Sequence, residues 1–85
     1  MPFFIKTEVI KSKYLSQIKL KQKILHEHKI WVNHLKHTGI NIQSGFLIDS
    51  LKNPGGGGLL IIECNSYKIA EIIIKEDPMI KNNLV

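Results

Sequence analysis

The chain has 85 residues, 44% hydrophobic and 22% charged, with a formal net charge of +5. A single domain of this length buries only ~60% of the surface its unfolded chain exposes, so extra stabilisation from a disulfide, a metal or a partner subunit is expected. The lone cysteine, Cys64, excludes an internal disulfide and a Cys-based zinc site, and no apolar run approaches the ~20 residues of a membrane span.

The start, Met1-Pro2-Phe3-Phe4-Ile5-Lys6, has neither the charged n-region nor the small-residue cleavage site of a signal peptide. These features point to a soluble, cytoplasmic protein stabilised as a homodimer, without membrane association. The basic excess consists of lysine alone. Specific base reading and bidentate phosphate clamping favour the arginine fork, so a nucleic-acid partner is not expected.

Residues Phe3 to Ile10 alternate with the period of a strand: Phe3, Ile5, Thr7 and Val9 share one face, Phe4, Lys6, Glu8 and Ile10 the other. From Leu15 to Thr38 the apolar spacing changes to three, four and seven residues. Ile18, Leu25, Val32 and Leu35, flanked by Ile24 and Trp31, predict one helical stripe. Ser16 either caps this helix or lies in the loop leading into it, and Gly39 is placed to end it in a left-handed cap. Ile40 to Ile48 predicts a second strand, and Asp49 to Gly58 a loop with a run of four glycines. The following stretch, Leu59-Leu60-Ile61-Ile62-Glu63-Cys64, does not alternate and calls for apolar cover on both faces. Asn65 or Ser66 caps a second helix from Tyr67 to about Lys75. Asp77-Pro78 reads as an N-cap with proline at the first position of a short closing turn.

The order β-α-β-β-α is that of a ferredoxin-like α+β plait, which a fourth strand would complete. Both helices of that plan cover one sheet face. The demands of Leu59 to Ile62 on the other face would be met by a second sheet across a two-fold axis. Polar residues on the same strands, Lys6, Glu8, Asn41 and Gln43, suggest a cavity within the covered region.

The string Leu25-His26-Glu27-His28-Lys29-Ile30-Trp31-Val32, followed by Gly39 and Ser44-Gly45, resembles the first-helix signature of the YCII-related (YciI-like) family. Gly56-Gly57-Gly58 leading into Leu59 to Glu63 resembles that family's glycine-led third strand. Ser66, Ala70, Asp77-Pro78 and Leu84-Val85 resemble its second helix and ending. The likeness runs from Phe3 to Val85. Phe46 departs from the usual proline after Ser-Gly, and Asn83 stands where glycine is usual. The chain stops at Val85, about where the family's fourth strand would begin, so that strand is either absent or the sequence is incomplete. The resemblance implies a dimeric α+β barrel with a His–Asp pair in a cleft, and relatives that include small isomerases, lyases and monooxygenases.

Of four histidines, only His28 lies on the buried stripe, with Ile24, Trp31, Val32 and Leu35 at helical spacing around it. A buried imidazole held by a carboxylate is a general base near neutral pH, whereas one satisfied by a backbone carbonyl is part of a core. The resemblance aligns His28 with the family's usual histidine. Asp49, closing the second strand, is the expected partner, with Asp77 assigned to capping. Trp31 is the expected wall of an apolar pocket, and Ser44 with the Gly45 backbone are candidate donors to a substrate oxygen, or else an ordinary strand with a bulge glycine. Neither a metal nor a cofactor is expected: His26-Glu27-His28 lacks the zincin spacing, and the glycine run leads into a strand rather than a helix. Two functional readings follow. One is a small lyase- or isomerase-type enzyme; the other is a non-catalytic dimeric module that binds a small ligand or a protein.

Overall fold

The computed structural model describes residues 1–85 except for the surroundings of Gly55. It is a small α+β domain with a three-stranded antiparallel sheet in the order β1-β3-β2. The strands are β1 (Phe3–Val9), β2 (Ile42–Ile48) and β3 (Pro54–Glu63); the helices are α1 (Ile18–His37), α2 (Tyr67–Ile74) and α3 (Pro78–Lys81). A 3₁₀ turn at Ser12–Tyr14 joins β1 to α1.

Alternation along the strands sorts the side chains. Register sets Phe4 beside Ile62, Lys6 beside Leu60 and Glu8 beside Gly58 on one side, with Ile42, Ser44 and Phe46 completing that face from β2. This face carries both longer helices. Val32 of α1 and Ala70 of α2 pack with Ile42, Leu60, Ile62 and Cys64 into one buried cluster. Burying each of the large aliphatic side chains contributes about 1.5–3 kcal/mol. A second cluster joins Ile24 of α1 to Met79 of α3 and Leu84 of the closing segment.

The opposite sheet face is bare. Phe3, Ile5 and Val9 stand 57%, 67% and 71% exposed there. Leu59 and Ile61, between them and β2, are only partly buried. Leu60 and Ile62 thus receive the helical cover they require, while their neighbours have none among the described residues.

Helix ends follow local chemistry. Gly39 adopts φ 94°, a left-handed conformation that costs glycine little, and the Ile40 N–H then returns to the Leu35 carbonyl. Asn83, at φ 54°, ends α3 in the same way, with the Leu84 N–H donating to Met79 O. Ser66 caps α2 by accepting from the Ile69 N–H. Ser16 does not cap α1; Gln17 holds that position without a side-chain bond.

Two expectations need correction. The stripe of α1 does not include Ile18, which is 58% exposed; its buried residues are Ile24, His28 and Val32. The glycine run is not loop but the first half of β3, since Gly57 and Gly58 pair with both neighbouring strands. Backbone partners on both sides outweigh the weak strand preference of glycine. Of the four glycines, Gly55 lies outside the described residues.

Candidate functional site

His28 sits one turn after Ile24 and one turn before Val32, at the seam between the two apolar clusters. Only 5% of it is exposed, so both ring nitrogens need partners inside the protein. They have them. Nδ1 lies 2.7 Å from Asp77 Oδ1 and Nε2 lies 2.8 Å from Ser44 Oγ. An ionised carboxylate only accepts, so with Asp77 ionised and the imidazole neutral, Nδ1–H donates to Asp77 and Nε2 accepts from the Ser44 hydroxyl.

Asp77 is held in place by its own cap. The Asp-Pro start of α3 fixes the backbone, and Oδ1 accepts from the Met79 N–H at 2.9 Å while meeting His28. The residue is wholly buried, and Oδ2 has no hydrogen-bond partner among the described residues. Ser44 is brought from β2 by register, two residues along from the buried Ile42 on the helix-covered face. Asp77, His28 and Ser44 therefore form one hydrogen-bonded chain assembled from a cap, a helix and a strand.

The expected pairing of His28 with Asp49 is incorrect. Asp49 lies in the β2–β3 turn, where Oδ1 accepts from the N–H groups of Leu51 and Asn53. These bonds point the carboxylate into its own turn, and its side chain is exposed. Nothing in composition or spacing distinguished the two aspartates for this task. Asp77 was fully explained by capping, and its cap oxygen turns out to do both jobs.

His28 and Ser44 line a cavity of about 250 Å³ between α1, the sheet and α3. Its apolar walls come from Ile10, Leu25, Val32, Phe46 and Met79, and Lys29, Asn33 and Lys36 also border it. The volume lies just below the ~300–1,000 Å³ of drug-sized sites, which suits a single-ring or short-chain molecule. Trp31 is not among the residues lining this cavity. Its ring is tilted against His28 at 5.9 Å between centroids and packs into the larger cluster. Helical rotation explains this: residues 25, 29, 32 and 36 turn toward the cavity, and position 31 turns away.

Gly45 borders the cavity, but its N–H is not free to bind a ligand. The bond from Glu63 N to Asn41 O sets the ladder alternation, which directs the Gly45 N–H to Leu59. The Ser44 hydroxyl beside it has its one proton directed to His28 Nε2. Glu8, read from sequence only as a polar residue in a covered region, lines the same cavity. Its Oε2 meets Lys6 Nζ at 2.5 Å, and its side chain is 6% exposed. His26, His34 and His37 are exposed on α1. No group of three or more potential metal ligands occurs among the described residues, and no described helix is long and apolar enough to cross a membrane.

Comparison of the chain with protein-family models, with curated proteins and with solved structures finds no match.

Proposed function

We propose that this chain is a small proton-transfer enzyme of the lyase or isomerase type, with His28 as general acid–base. The observation that carries this reading is the Asp77–His28–Ser44 chain ending at an apolar cavity. Asp77 fixes the tautomer that leaves Nε2 basic and stabilises the imidazolium formed when Nε2 takes a proton. Ser44 occupies Nε2. It either gives way to substrate or relays the proton, taking one from substrate as it passes its own to Nε2. The apolar walls at Ile10, Leu25, Val32 and Met79 would hold an apolar ligand beside this basic nitrogen, the arrangement that abstraction from a weak carbon acid requires.

We further assign the chain to a YCII-related, ferredoxin-like plait that forms a homodimer in the cytoplasm. The bare sheet face supports the dimer. Phe3, Ile5, Val9, Leu59 and Ile61 form a contiguous apolar surface of the kind that marks an interaction site. A two-fold pairing of this face gives Leu59 and Ile61 the cover their composition demands. Sedimentation at micromolar concentration should give twice the chain mass, and Ile61→Lys should halve it. A wild-type monomer would remove the dimer from this assignment.

A second reading, a non-catalytic ligand-binding module, is favoured by one feature: both nitrogens of His28 are already satisfied, as in a structural histidine. Turnover separates the two. Small ring hydroxyketones and hydroxylactones are incubated in D₂O with wild type and with His28→Ala, and loss of α-C–H signals is followed by NMR. General-base catalysis of about 10²–10⁴-fold that disappears in the variant supports the enzyme. Exchange no faster than buffer, with ligand-induced shifts at the cavity, leaves the binding module.

A further inference from the structure

We infer that Glu8 is the specificity-determining group of this cavity and selects ligands that present a hydroxyl donor. The inference rests on the cavity being a ligand site and does not depend on catalysis.

Three observations converge on it. Glu8 is buried, with a side chain 6% exposed, yet it lines the cavity that holds His28 and Ser44. Only one of its oxygens is engaged: Oε2 is held by Lys6, while Oε1 has no hydrogen-bond partner among the described residues and is not one of the fully occluded polar atoms. The third concerns the strand beside it. A Cβ at Gly58 would lie 3.0 Å from Glu8 Oε1 and 3.2 Å from Cγ. A side chain at 58 would require Glu8 to give by a few tenths of an ångström, so glycine here leaves this carboxylate its room over β3 at the cavity wall.

A carboxylate oxygen held by a neighbouring ammonium can only accept. At this wall of the largely apolar, partly open cavity, a ligand bearing a hydroxyl satisfies it, whereas a ligand bearing only an acceptor leaves it unpaired and adds lone-pair repulsion. The selected class is thus a single-ring or short-chain alcohol or enol, its apolar body against Leu25, Val32 and Met79.

Cyclohexanol and cyclohexanone are the probes, being similar in shape and opposite in hydrogen-bonding role. Binding is read from amide chemical shifts on titration into wild type, Glu8→Gln and Gly58→Ala. Wild type should prefer the alcohol by roughly ten- to a hundredfold, the range of a hydrogen bond to a charged group. Glu8→Gln, whose amide both donates and accepts, should bring the two probes within about threefold of each other. Gly58→Ala, which presses a methyl against the Glu8 side chain and shifts it by a few tenths of an ångström without changing its chemistry, should erode the preference too, and it supplies the deciding comparison if Glu8→Gln fails to fold. Equal binding of both probes to wild type, or a preference that survives in the folded variants, overturns the role of Glu8 and leaves the cavity as a ligand site. Absence of any shift at cavity residues with either probe at 10-millimolar order overturns both.

Discussion

Replacing Asp77 by alanine removes one oxygen that serves two donors, the Met79 N–H and the His28 Nδ1–H. Loss of an N-cap costs about 1 kcal/mol. Leaving a buried imidazole N–H without a partner costs about 1–3 kcal/mol more. Removing the unpartnered Oδ2 offsets part of this, so a net loss of about 2–3 kcal/mol is expected. For a domain of this size that corresponds to a fall in Tm of about 10–20 °C. It is also a large share of the ~5–15 kcal/mol that holds a typical small domain together. Asp49→Ala removes bonds confined to an exposed turn and should cost under about 1 kcal/mol, a few degrees at most. Urea and thermal denaturation followed by far-UV circular dichroism measure both, with the wild type and the two variants at one protein concentration. Equal losses in the two variants, or an Asp77→Ala loss under about 0.5 kcal/mol, would refute the assignment of Asp77 as the partner of His28.

Other substitutions test the elements around the site. Gly39→Ala forces a side chain into a backbone conformation at φ 94° and should cost about 1–2 kcal/mol by denaturant midpoint. Asn83→Gly, at φ 54°, should be neutral within about 0.5 kcal/mol, while Asn83→Val should be clearly destabilising. Ser66→Ala removes the cap of α2 and should cost about 0.5–2 kcal/mol, read in the same way. Ile62→Ala, at a wholly buried position, should cost about 2–5 kcal/mol; a value below about 1 kcal/mol would mean that the central strand is less tightly enclosed than its burial indicates.

What could be read from the amino-acid order was local. Alternation placed Phe4, Lys6 and Glu8 on one face of β1, because a strand's period of two depends only on the backbone. Gly39, the Asn65-Ser66 pair and Asp77-Pro78 mark helix ends, because capping is satisfied within a few residues. His28 was picked out by its place between Ile24 and Val32, a consequence of the α-helical repeat. The first half of β3 is not legible in the sequence, because Gly57 and Gly58 owe their strand conformation to partners in β1 and β2, not to any preference of their own. The carboxylate of the site is hidden in the sequence for a similar reason. Asp77 meets His28 across 49 residues of chain, and no short-range pattern encodes a contact that α3 makes only when it docks on α1.

The sequence by itself was therefore enough to establish the succession of strands and helices, the buried histidine and the bare apolar face, since each follows from backbone periodicity and side-chain chemistry within a few turns. The partner of that histidine, the serine at its other nitrogen and the glutamate beside the cavity emerged only on folding. They come from different elements, and it is the packing of the helices on one side of the sheet that brings them together.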